Sequence, residues 1–127
     1  MSENFIITIN GRKKLAQARA GEITLPKVKG MVFGDGGIDA DGNVLAPTEN
    51  QSELRHELYR KVINGYSFPS DTTCRYECTL TESELPGADI SEIGLYDEEG
   101  DVICIKSFKV KGKDDDLEMI FYIDDMF

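Results

Sequence analysis

Apolar positions along the chain change period from one half to the other. Phe5-Ile6-Ile7-Thr8-Ile9 is a β-branched run that predicts a short strand or an extended entry, broken by Asn10-Gly11. Arg12 to Ala20 is filled with Ala, Leu, Lys, Gln and Arg, all good helix formers, and predicts a helix with a small apolar face at Leu15, Ala16 and Ala18. Gly21 stands where a left-handed C-terminal stop belongs. Glu22 to Phe33 reads as extended chain, with Val28 and Met31-Val32-Phe33 supplying buried side chains. Gly34-Asp35-Gly36-Gly37 ends it, and three glycines in four positions imply positive φ or a close backbone approach. Residues 38–47 follow as a loop with Asp39-Ala40-Asp41-Gly42-Asn43 at its tip. Thr48-Glu49-Asn50-Gln51, after Pro47, has the form of a capping box and predicts a helical turn or short helix from about Glu49. Leu54 and Leu58 would share its face. Tyr59, Val62, Ile63, Tyr66 and Phe68 suit a longer helix or a strand, and local propensity favours helix to about Lys61.

The second half alternates with period two. Cys74, Tyr76, Cys78 and Leu80 share one face against Arg75, Glu77 and Thr79, and Pro69-Ser70-Asp71 before them is a turn signal. A hairpin from residues 58–68 into 73–80 follows from that pattern. Ile93-Gly94-Leu95-Tyr96 and Val102-Ile103-Cys104-Ile105 flank Asp97 to Asp101, a hairpin with Gly100 at the position that needs positive φ. Phe108 and Val110 extend its second arm, and Lys111-Gly112-Lys113-Asp114 turns the chain again. Leu117, Met119, Phe121 and Ile123 line one face of a last strand. The expected fold is α+β: a mostly antiparallel sheet of about six strands with one or two short helices in the N-terminal half, in a single domain spanning residues 1–127.

Composition narrows the function. The formal charge is −10, which excludes nucleic acid and anionic membrane as expected partners, because phosphate must be neutralised by Lys and Arg. The charge is uneven: residues 1–30 carry a net +4 and the remainder −14. That asymmetry can steer head-to-tail assembly, although solubility alone accounts for it and is the preferred reading. Arg12-Lys13-Lys14 falls in the first turn of the predicted helix, the wrong end for its dipole, and so marks a candidate contact surface. Met126-Phe127 is an apolar chain end able to dock into a neighbour or fold back onto the core. Cys74, Cys78 and Cys104 are odd in number and read as reduced thiols of a cytosolic product.

Candidate chemistry is thin. His56, the sole histidine, needs a nucleophile or carboxylate beside it to act as a base, and neighbouring Glu53 and Glu57 belong to a charged, solvated stretch. Asp35, Asp39, Asp41 and Asn43 offer the oxygen atoms that Ca²⁺ takes, but Gly37 sits where the first carboxylate of a calcium loop belongs, and Asp and Gly are common turn residues. The acidic group Glu92, Asp97, Glu98, Glu99 and Asp101 is expected at an exposed hairpin tip, titrating normally. No catalytic residue, metal or cofactor is expected; a Ca²⁺- or glycan-binding module and a carboxylate-dependent hydrolase are the alternatives.

Four blocks occur in a recognisable order. They are Ile9 to Gly21; Met31-Val32-Phe33-Gly34-Asp35-Gly36-Gly37; Pro47-Thr48 with Leu54, Glu57, Tyr59-Arg60 and Ile63-Asn64; and Ile90-Ser91-Glu92-Ile93-Gly94-Leu95-Tyr96-Asp97 with Gly100-Asp101. Together they resemble the opening helix, the Gly-Asp-Gly turn, the P-T…L…E-x-Y-R…I-N block and the I-x-E-I-G-L-x-D…G-D hairpin of the phage tail-collar fibre proteins. The resemblance spans nearly the whole chain. It implies that residues after about Leu54 turn into a strand against local propensity, and that reading is adopted here. It further implies a structural part of a phage tail or tail-like particle, made in the bacterial host cytoplasm. Other tail or baseplate proteins would be the partners, with a homo-oligomer, such as a trimer, as the default. Members typically continue into a long fibre, whereas this chain stops at Phe127, so attachment of a fibre to the baseplate is expected rather than receptor binding.

Overall fold

Eight strands and one helix carry residues 4–127, the part of the chain that the computed structural model describes. β1 (Phe5–Ile7), β2 (Val28–Gly34), β3 (Glu57–Val62), β6 (Asp89–Asp97) and β7 (Val102–Gly112) form one antiparallel sheet in the order β1-β7-β6-β2-β3. β4 (Gly65–Ser70), β5 (Thr73–Leu80) and β8 (Met119–Met126) form a second, in the order β4-β5-β8. The expectation of about six strands understated the sheet content: the opening run is a full strand, and the arm read as 58–68 is two strands, one in each sheet.

The helix α1 (Ile9–Arg19) begins three residues before the predicted start because Thr8 caps it. The Thr8 hydroxyl accepts from the Gly11 N–H at 3.0 Å and donates to the Val102 carbonyl at 2.7 Å, so one buried side chain caps α1 and ties it to β7. Gly11 lets the first turn lie on β7, since a Cβ there would strike the Ile103 carbonyl. The stop is as read from the sequence: Gly21 takes φ 81°, and Glu22 and Gly21 donate back to the Gln17 and Ala18 carbonyls.

The second helix is absent among the described residues. Thr48 to Gln51 makes a single turn, closed by the Gln51 N–H to the Thr48 carbonyl and by the Gln51 side chain accepting from the Thr48 N–H. Half of the capping box therefore forms without a helix behind it. Leu54 leaves this segment to pack, 6% exposed, under Val32, Tyr96, Val102 and Ile105. Residues 57–62 are strand, as the family resemblance implies, but the hairpin drawn from 58–68 is broken in two. β3 pairs with β2, and only β4 pairs with β5. The switch falls at Asn64, whose N–H donates to the Glu77 carbonyl and whose side chain accepts from Thr79.

The main core lies between the sheets. Met31, Phe33, Ile93 and Leu95 from the first meet Cys78, Leu80, Phe121 and Ile123 from the second, with Phe33 and Phe121 packed edge to face at 5.2 Å. Burying each such large side chain contributes about 1.5–3 kcal/mol. The second cluster around Leu54 covers the other face of the first sheet, which is why β6 is buried along nearly its whole length. No helix among the described residues is long and apolar enough to cross a membrane.

Candidate docking surface

Buried carboxylates hold the turns at the ends of these strands. Glu92 on β6 is 1% exposed, and its carboxylate accepts from the backbone N–H groups of Gly36, Arg55 and His56 at 2.8–2.9 Å. The glycines of the 34–37 turn are explained by this close approach, not by positive φ. A Cβ on Gly37 would collide with the Ser91 carbonyl, and one on Gly36 with the Glu92 carboxylate. Asp97, at the end of β6, is also 1% exposed. One of its oxygens accepts from the Glu99 and Asp101 N–H groups, and the other takes Lys14 Nζ at 2.6 Å. The expectation that these acids sit exposed at a hairpin tip therefore fails for Glu92 and Asp97. Both belong to strand β6, whose two faces are covered.

Lys14 is itself largely buried, with Glu99 and Asp101 at 2.9 and 2.8 Å completing a cage of three carboxylates. Burial works against its ammonium, but the hydrogen bonds to Asp101, Asp97 and Glu99 outweigh it and hold the pKa above the ordinary lysine value. Of the basic cluster proposed as a contact surface, Lys14 faces inward, Arg12 donates to the Glu49 carbonyl, and Lys13 stands exposed. A comparable strut ties residues 81–88 to β3. Glu84 accepts from Lys61 Nζ at 2.6 Å, from the Thr81 N–H and from the Tyr59 hydroxyl. Burial would raise the Glu84 pKa, but these donors prevail and hold it down at about 2.

The four oxygen-bearing residues of the 35–43 loop are not brought together on one centre. Asp35 pairs with His56, while Asp39 turns its carboxylate onto the Asp41 and Asn43 N–H groups of its own loop at 2.9 Å. The Asn43 N–H is the main cause holding the Asp39 pKa down. Among the described residues, no group of three or more His, Cys, Asp and Glu side chains is arranged to hold a metal ion. His56 is well exposed, and its hydrogen bond to Asp35, reinforced by that carboxylate's charge, raises its pKa above 6.5.

The concave surface lies elsewhere. Where α1 and residues 25–28 pass over the open end of the second sheet, a largely apolar groove of about 460 Å³ remains. Leu15, Leu25, Tyr66, Phe68, Tyr76 and Phe127 are among the side chains that line it. Tyr66 and Phe68 project from β4 on the face shared with Tyr76, each 65% exposed, with their rings edge to face at 5.9 Å. Phe127 is 72% exposed, and its N–H is fixed to the Thr72 carbonyl. Asp125, paired with Cys74 across β5 and β8, also lines the groove. Met126 points to the opposite face of β8, beside Tyr122.

The sequence singled out Phe127, whereas Tyr66 and Phe68 were placed only in a segment suited to a longer helix or a strand. The signal for their exposure was Pro69: proline within an alternating run marks an edge strand, and β4 is an edge of its sheet. Nothing in the pattern distinguished Asp125 from the neighbouring Asp124, which faces the other way and pairs with Arg75 at 2.8 Å.

A family model described as the N-terminal part of the phage tail-collar fibre protein matches residues 1–119. No curated protein and no solved structure matches the chain.

Proposed function

The chain belongs to the phage tail-collar fibre protein family, and from that premise we propose that it attaches a tail fibre to the baseplate of a phage or tail-like particle, as a homo-oligomer docked onto neighbouring tail or baseplate proteins. Membership makes it a structural, virion-associated tail component that associates with other tail proteins. The finer reading is supported by one observation: the two-sheet sandwich presents exposed aromatic side chains around a largely apolar groove at one end. Contiguous exposed apolar surface of this kind is characteristic of protein contacts, and Tyr and Phe are enriched at their centres. The chain is made in the host cytoplasm and assembled from there into the particle.

Labelling intact particles with an antibody against this chain tests the reading. Label is expected at the junction of fibre and baseplate, and light scattering of the purified protein is expected to give a mass above that of one chain. Particles without the protein, or label confined to the distal ends of the fibres, would overturn it.

A further inference from the structure

Asp125 is the one groove-lining carboxylate without a counterpart. It is half-buried, and among the described residues its side chain accepts no hydrogen bond and pairs with no cation. Its neighbours are Cys74 across the strand pair and the aromatic wall of the groove. The cations on the groove rim are otherwise engaged or distant in role. Lys14 is held by Asp97, Glu99 and Asp101, and Lys27, which also lines the groove, forms no ion pair with Asp125. Burial of this acid raises its pKa with nothing in the chain to offset it. Glu92, Asp97 and Glu84, by contrast, each accept from three donors.

We propose that the groove receives a segment of a neighbouring tail protein whose apolar side chains fill the space against Tyr66, Phe68 and Phe127 and whose lysine or arginine pairs with Asp125. The inference rests on the tail reading and names the chemistry of its partner. The argument for the occupant is charge complementarity. A cation delivered into a largely apolar wall meets a carboxylate already stripped of part of its water, so the pair forms a strong charge-assisted hydrogen bond. The volume falls in the range of roughly 300–1,000 Å³ that ligand sites show, enough for a few side chains rather than a whole domain. Tyr66 and Phe68 are fixed by strand β4 and by each other, so they offer rigid anchors that lose little freedom on binding.

Overlapping synthetic peptides covering the proteins encoded on either side of this gene, and this chain itself, are probed with the full-length protein. The wild type is expected to retain peptides from a neighbour that combine apolar residues with a lysine or arginine. Replacing that basic residue by glutamate is expected to weaken retention at least about tenfold. Phe68→Ser, at an exposed position that folding does not depend on, is expected to abolish binding. Asp125→Asn is expected to remove the preference for the basic residue while the melting temperature stays near wild type. No retained peptide, retention indifferent to the basic residue or to Phe68→Ser, or retention only of this chain's own peptides overturns the inference. The same variants are then tested for incorporation into particles. Particles that take up Phe68→Ser as well as wild type sink the groove and leave the tail reading standing, whereas particles lacking even the wild type sink the tail reading itself.

Discussion

Replacing Lys14 by methionine tests whether the α1–hairpin contact is a buried electrostatic strut or a surface decoration. The substitution keeps the length and apolar stem and removes the ammonium. Severing one partner of a buried ion pair costs about 3–5 kcal/mol when the remaining charge is left unanswered. Here the loss is smaller: Asp97 keeps two backbone N–H donors on one oxygen, and Glu99 and Asp101, at 61% and 46% side-chain exposure, turn to water. What remains is the orphaned second oxygen of Asp97, 1% exposed, for which a loss of about 2–3 kcal/mol is expected. With an unfolding entropy of about 2.1 cal/mol/K per residue, the chain's 127 residues lower the melting temperature by roughly 8–11 °C for that loss. Urea denaturation and calorimetry measure both quantities. Lys13→Met, on the exposed side of the same turn, is the control and should stay within about 0.5 kcal/mol of wild type. The sign of the pH dependence follows from the raised folded-state pKa: the Lys14 contribution is fully present below the unfolded value of 10.5 and is lost only as pH rises towards the folded one. The gap between wild type and Lys14→Met should therefore not shrink between pH 7 and 10. A loss below about 1 kcal/mol, or an equal loss in Lys13→Met, would refute the strut.

Two further outcomes follow from the turn held by Glu92. Gly37→Ala should destabilise the fold by about 2–3 kcal/mol or more in urea denaturation, because the added Cβ meets the Ser91 backbone and no flexible side chain can yield; a change within 0.5 kcal/mol of zero, on the scale of an ordinary surface substitution, would refute that. The hydrogen bond to Asp35 raises the His56 pKa, so its contribution is present below pH 6.5 and disappears as pH rises through the folded value. An NMR titration of the imidazole should give a pKa above 6.5 in the wild type and a lower one in Asp35→Asn, and equal values would show that the pair does not form in solution.

The elements most legible in the sequence are those whose signal is local. The helix over 9–19 carries its stop at Gly21, and the β6–β7 hairpin carries Gly100 at φ 89°. What was hidden depends on long-range partners. The capping-box segment at 48–51 satisfies its own turn, yet the chain after it is pulled straight by β2 and by the burial of Leu54, which outweigh a modest helix propensity. The division into two sheets was hidden for a similar reason. Alternation reports which residues face a core but not which sheet they belong to, and only Asn64-Gly65 marks the crossing. Glu92 and Asp97 were misread as solvated because charge in a sequence signals exposure by default. The Glu99 and Asp101 N–H groups that Asp97 accepts from are local, but the donors to Glu92 and the lysine on Asp97 lie at separations of 36, 37, 56 and 83 residues, which no local motif encodes.

The distribution of donors among these acids bears on where the protein acts. Glu92 is answered by three N–H groups, Asp97 by Lys14 and two N–H groups, and Glu84 by a lysine, a tyrosine and an N–H. A carboxylate held by three donors is fixed in place, so it braces a turn and most of its acceptor sites are engaged within the fold. Rigidity achieved inside leaves the surface to carry interaction, and a scaffold that does not deform on binding loses little entropy when it docks. Asp125 departs from that pattern, and it lines the groove bounded by the exposed rings of Tyr66, Phe68 and Phe127. An acid that the chain buries partway and does not satisfy is costly in the isolated protein. A cation supplied from outside the chain would offset that cost, which favours a partner at the end bearing Tyr66, Phe68 and Phe127.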